Sequence, residues 1–163
     1  MNLTKFTEIA HLEPDIVIKL VSWKDLNLVE KLSQKQNEME QGLYDSSQAF
    51  ITNFEREILL SIPWNFALYV RSDLRCWLRC VPFQGLWVTH LVSTIEGRFY
   101  AGRLLENIID RAMGCGFNRI WSEVLKVNRP SLVILERIRR NRNLPPESLK
   151  SIDNDLMLAE LHG

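Results

Sequence analysis

The sequence has little cysteine, no net charge and no long apolar run, and each shortage excludes a class of protein. Its three cysteines, Cys76, Cys80 and Cys115, are odd in number and show no paired spacing, which argues against a disulfide framework. Cys76 and Cys80 have no second Cys or His pair to complete a tetrahedral zinc site, so no metal is expected. Lysine plus arginine equals aspartate plus glutamate at 20 each. No global field therefore draws the chain to nucleic acid or to an anionic membrane, and neither is an expected partner. No apolar run reaches the roughly 18 residues of a membrane helix. The opening MNLTKFTEIAHLEPD lacks the charged-then-apolar order of a signal peptide. A reducing, cytoplasmic location is expected. Repeats and low-complexity tracts are also missing, and the polar stretch at residues 33–41 reads as a helix end or loop rather than a linker. One domain over residues 1–163 is the simplest organisation.

What is present is a core. Hydrophobic residues make up 46% of the chain, which suits a packed globular domain. Residues 15–21 are β-branched and apolar and read as a strand. Ser22, with Asp25 three positions on, offers a capping-box-like start to a helix carrying Leu26, Val29 and Leu32. A second helix is expected after Asp45-Ser46-Ser47, with Phe50, Phe54 and Ile58 on one face and Pro63 as its stop. Residues 66–70 and 75–82 read as a hairpin around a polar turn. In its second strand Cys76, Leu78 and Cys80 share one face, and Arg75, Trp77 and Arg79 the other. After Phe83-Gln84-Gly85 comes a strand at 86–93.

The clearest helix follows, with Leu104, Leu105, Ile108, Ile109 and Ala112 on one face and Gly114-Cys115-Gly116 as its stop. A strand at 119–125 leads to a helix that Asn128 caps, with Pro130 in its first turn. A strand at 155–161 closes the chain. The order is β-α-α-β-β-β-α-β-α-β. Antiparallel strands come first and a strand-helix-strand crossover follows; a parallel pair with a crossover helix places its ligand at the carboxyl ends of the strands.

The segments GRLLENIIDRA, GFNRIWSEV and NRPS within THLVSTIEGRFYAGRLLENIIDRAMGCGFNRIWSEVLKVNRPSLVILER, and the opening IVIKLVSWKDLNLVEKL, resemble the GNAT superfamily of N-acetyltransferases in spacing and residue type. The resemblance implies an α/β chain of mixed α+β type, in which helices flank a central mixed, mostly antiparallel sheet. It implies transfer of an acetyl group from acetyl-CoA, or another acyl-CoA, to an amine, with no metal. Under it, Leu91, Val92 and Ser93 grip the pantetheine arm. Arg98, Phe99, Tyr100, Ala101, Gly102 and Arg103 hold the pyrophosphate, and Asn128 holds the arm or orders the strand end. Two positions depart from the family pattern. Aligning Gly102 with the last loop glycine puts Gly97 where the family has Gln or Arg and Tyr100 where it has glycine. The tyrosine that protonates the leaving thiolate falls at Leu135.

Each site residue also has an ordinary reading. A helix start near Ala101 presents bare amides and the positive dipole end to a phosphate, and Arg98 and Arg103 add charge; Glu96 opposes it, and a plain turn with two solvated arginines is the alternative. Asn128 is explained fully as a cap. His90 is a candidate general base and Glu123 its alternative; a packed strand histidine and a surface carboxylate are the ordinary readings. Cys115 has no adjacent base. The basic run at residues 136–142 suits either a phosphate or a solvated helix end. Two functions stay open. One is an acyl-CoA-dependent N-acetyltransferase, with acyl-CoA and an amine acceptor as partners. The other is a catalytically inactive GNAT-fold binding or regulatory protein, which would engage a protein partner or form a homodimer. The acceptor is not identified, because residues 34–64, which shape it in the family, carry no diagnostic charge pattern.

Overall fold

The computed structural model describes residues 3–43 and 64–162. Among them one sheet runs in the order β1-β2-β3-β4-β5-β6-β8-β7. The strands are β1 (Ala10–Glu13), β2 (Ile16–Leu20), β3 (Asn65–Val70), β4 (Asp73–Pro82), β5 (Leu86–Ser93), β6 (Ile120–Leu125), β7 (Leu149–Ser151) and β8 (Leu156–His162). Every neighbouring pair is antiparallel except β5 and β6. The helices are α1 (Leu3–Phe6), α2 (Leu26–Leu43), α3 (Ala101–Gly114) and α4 (Arg129–Asn141). The mixed, mostly antiparallel sheet and its flanking helices agree with the architecture expected above.

The alternation read in β4 separates two cores. Cys76, Leu78 and Cys80 join the larger one, with Leu104, Leu105, Ile108, Ile109 and Ala112 of α3 and Leu135 and Ile138 of α4. Ala67, Tyr69, Leu74 and Trp77 meet Val29 and Leu32 of α2 on the opposite face. Leu104, Ile108, Ile109 and Ala112 are wholly buried, and full burial of a Leu or Ile side chain contributes roughly 1.5–3 kcal/mol. Gly116 lies in the left-handed region at φ 94°, where the helix stop needs it.

Some elements differ from expectation. The strands β1 and β7 and the helix α1 lack sequence patterns of their own; they are fixed by partners. Phe6 of α1 sits edge-on to Trp64 at 5.1 Å and Phe66 at 5.3 Å. Arg111 holds α1 down: its Nη1 donates to the Phe6 carbonyl at 3.1 Å and to that of Glu8, and its guanidinium lies over the Phe66 ring. The capping box at Ser22 does not form. The Ser22 side chain makes no cap bond, and the Tyr69 hydroxyl stands between Ser22 and Asp25, accepting from the Ser22 N–H at 3.2 Å and donating to Asp25 at 2.8 Å. The helix expected after Asp45 lies outside the described residues.

Candidate functional site

The parallel pair is the unusual place in the sheet. The strands β5 and β6 pair only at Leu86 with Ile120 and Trp87 with Trp121. One side-chain bond extends the contact, from Ser122 Oγ to the Val88 carbonyl at 2.9 Å. Beyond it the β6-facing backbone of residues 89–93 has no ladder partner among the described residues, so the two strands open into a mouth. Leu91, Val92 and Ser93 line its β5 side and are half-buried.

The loop after β5 is tied to β4. The Thr94 N–H and hydroxyl both donate to the Arg75 carbonyl, at 2.8 and 3.1 Å. The Gly97 N–H donates to the Thr94 carbonyl and Oγ1. A Cβ on Gly97 would stand 1.8 Å from the Arg75 oxygen. Gly97 is therefore demanded by the close approach of two backbones, which gives a physical reason for the departure from Gln or Arg there.

The loop delivers Tyr100 as the N-cap of α3, with no side-chain cap bond. The amides of Ala101, Gly102 and Arg103 have no acceptor among the described residues, since the first α3 bond runs from the Leu104 N–H to the Tyr100 carbonyl. A Cβ on Gly102 would meet only Ile134 of α4, at 3.8 Å. Open amides and the dipole of a helix make an anion site. The two arginines are disposed differently: Arg98 lies over the exposed Phe99 ring at 5.3 Å, and Arg103 pairs with Glu13 at 3.3 Å on the surface. Asn128 caps α4, its Oδ1 accepting from the Ser131 N–H at 3.3 Å; its amide nitrogen has no partner among the described residues. Leu135 is buried in the core.

His90 and Glu123 fall on the same face of the sheet, one on each strand of the mouth. With Ile120 and Val124 in the α3-side core, alternation turns Trp121 and Glu123 toward the α2 side, where Glu123 is exposed. His90 is there too, stacked on Trp77 at 5.2 Å, but only 6% exposed. Burial, helped by the nearby Arg79 guanidinium, pushes its imidazole down to about 3. It is neutral at pH 7 and a weaker base than a solvated histidine.

Sequence reasoning missed Thr89 and Arg79. Cys80 pairs with Val88 and Arg79 with His90, so Thr89 is a bulge residue. The signal was legible: the residues of β5 that pair with inward β4 positions run Leu86, Val88, Leu91, a break in strict alternation. Stacked Trp87 and Trp121, 5.4 Å apart, wall the closed end of the mouth.

Other candidates are used structurally. Burial raises the Cys76 thiol to about 12 and the Cys80 thiol further still, and Cys115 is buried in the same core. In the basic run, Arg139 and Arg140 pair with Glu136, and Arg142 with Asp110 and Glu106 of α3. Among the described residues no group of three or more His, Cys, Asp or Glu side chains is placed to hold a metal, and no helix is long and apolar enough to cross a membrane.

No protein-family profile and no curated protein matches the sequence. Solved structures do. The PaiA N-acetyltransferase of Thermoplasma acidophilum, in complex with coenzyme A, is 13% identical at a TM-score of 0.62, covering 89% of this chain and 98% of that one. RimL, a ribosomal L7/L12 alpha-N-protein acetyltransferase in complex with coenzyme A, is 13% identical at 0.63, covering 93% and 96%. The diaminobutyrate acetyltransferase EctA of Paenibacillus lautus, bound to L-2,4-diaminobutyric acid and coenzyme A, is 13% identical at 0.59, covering 88% and 92%.

Proposed function

The fold is that of the GNAT acetyltransferases, and we propose that the protein is an acyl-CoA-dependent N-acetyltransferase acting on an amine. The observation that carries this reading is the mouth between β5 and β6, together with the uncapped start of α3 after the loop that leaves β5. A fold alone does not fix an activity, whereas open strand amides beside an open helix start suit an amide-bearing arm that ends in phosphates. The amides of Ala101, Gly102 and Arg103 would receive the pyrophosphate, with Arg98 and the Phe99–Tyr100 backbone beside them. Leu91, Val92 and Ser93 would pair with the pantetheine amides, and the Asn128 amide group would steady the arm. When bound, acetyl-CoA supplies a thioester carbonyl open to a nucleophile.

The chain's own residues then have distinct tasks. The backbone N–H of Leu91 or its neighbour steadies the carbonyl oxygen. The amine nitrogen forms the new C–N bond as the C–S bond breaks, and its proton leaves to His90, Glu123 or a water molecule. Leu135 donates no proton, so water or Tyr100 protonates the thiolate. Calorimetry with acetyl-CoA tests the reading: saturable binding is expected, and no heat at millimolar acetyl-CoA would sink it.

A second reading has one observation in its favour. Leu135, buried where the family resemblance puts a proton donor, suits a protein that keeps the fold without the chemistry and engages a protein partner. It predicts a stable dimer or hetero-complex; a strict monomer by light scattering, turning over an amine with acetyl-CoA, excludes it.

A further inference from the structure

Thr89, the bulge residue of β5, has no partner in the register of the β4–β5 ladder, yet its hydroxyl is the centre of a polar cluster. Arg79 Nη1 donates to Thr89 Oγ1 at 3.1 Å, Oγ1 donates to the Arg79 carbonyl at 3.2 Å, and His90 Nδ1 lies 2.9 Å from the same oxygen. Arg79 is 7% and His90 6% exposed.

A hydroxyl has one proton and two lone pairs. The guanidinium only donates and the carbonyl only accepts, so together they use one lone pair and the proton. His90 Nδ1 is left with the second lone pair, which only a protonated nitrogen engages. With the hydroxyl proton committed to the Arg79 carbonyl, the ring hydrogen falls on Nδ1; the opposite arrangement, Oγ1–H to Nδ1, gives up that bond to the carbonyl. Because the ring is neutral at pH 7, Nε2 carries an unshared lone pair, and it has no hydrogen-bond partner among the described residues. Trp77, wholly buried with its Nε1–H on Asn65 Oδ1 at 3.0 Å, holds the ring plane by stacking.

We propose that Arg79 and Thr89 are positioning residues that lock His90 as its Nδ1–H tautomer, so that Nε2 accepts an N–H of the incoming amine. The identity of the donor rests on the acetyl-transfer reading; the tautomer does not. The amine that fits arrives uncharged, with its lone pair free for the carbonyl and one N–H directed at Nε2. Glu123, exposed on the facing strand, is available to take a proton from an ammonium form before that alignment.

The test uses the full chain labelled with nitrogen-15 in histidine and long-range proton–nitrogen correlation at pH 7. Wild type and Thr89→Ser are expected to show His90 with Nδ1 protonated and Nε2 bare, and Thr89→Val to lose that preference. An Nε2–H tautomer or an imidazolium in wild type, or an unaltered tautomer in folded Thr89→Val, overturns the proposal. If Thr89→Val does not fold, the wild-type and Thr89→Ser spectra decide it. A panel of primary amines is then screened for thiol release from acetyl-CoA. With the first that reacts, Thr89→Val should lower kcat about 10-fold or more, within the span of general-base effects, with acetyl-CoA affinity unchanged and Thr89→Ser restoring the rate; an unaltered kcat overturns the catalytic half. If acetyl-CoA moves no resonance, the acetyl-transfer reading fails while the tautomer assignment stands.

Discussion

The burial of His90 makes a measurable demand on stability. Its imidazole has an ordinary pKa of 6.5 and is lowered to about 3 by burial and by Arg79. Between those values the unfolded chain binds a proton at this site and the folded chain does not. Stability from His90 is therefore complete above about pH 6.5 and declines as the pH falls toward 3. At pH 5 the unfolded state gains RT ln(1 + 10^1.5), about 2 kcal/mol, and at pH 7 almost nothing. Substitution His90→Gln removes the titration while keeping a polar group beside Thr89. Urea unfolding at pH 7 and pH 5, with reductant present, compares the two proteins. Whatever the substitution costs is common to both pH values and cancels in the difference. Wild type should lose about 2 kcal/mol more than the variant between pH 7 and pH 5, a midpoint change on the order of 1 M urea for a typical small-domain slope. Equal losses would refute the reasoning and put His90 in contact with water.

Three further predictions follow from the packing. Gly97→Ala forces a methyl against the Arg75 carbonyl and should cost about 1–3 kcal/mol by urea unfolding while weakening acetyl-CoA binding. Gly102→Ala meets only Ile134 at van der Waals distance, so its midpoint should hold or rise, yet calorimetric affinity for acetyl-CoA should fall about tenfold, or about 1.4 kcal/mol, if phosphate rests on that amide. Arg111→Met removes charged donors from the carbonyls that end α1 and should cost about 2–3 kcal/mol, with amide exchange at residues 3–9 accelerating most.

The parts of the fold legible in the sequence are those whose partners are local. Helix α3 was plain because Leu104, Leu105, Ile108, Ile109 and Ala112 repeat on one face and glycine ends it. The β4 alternation was plain for the same reason, and Asn128 was readable as a cap within three residues of its donor. The strands β1 and β7 were not, since Ala-His-Leu-Glu and Leu-Lys-Ser become strands only by adding to β2 and β8. The Ser22 cap was misread because Tyr69, 47 positions away, takes over its amide. In the site, the position of His90 beside the crossover was legible but its state was not. Its neutrality depends on burial and on the Arg79 charge, which a neighbouring strand brings beside it. Likewise the reason for Gly97 is not local: it is the Arg75 backbone packed against it.

The short rung between β5 and β6 makes the sheet two leaves joined at a spine. The leaf from β1 to β5 and the leaf of β6, β8 and β7 meet at Leu86 and Trp87, reinforced where the Leu86 N–H donates to the Arg119 carbonyl at 2.8 Å. Anything that slides an extended, amide-rich backbone between the leaves would stand in for the missing rungs and stiffen both at once. Such an occupant would turn a binding event between β5 and β6 into slower breathing of β8 and β7, which pair onto the far side of β6.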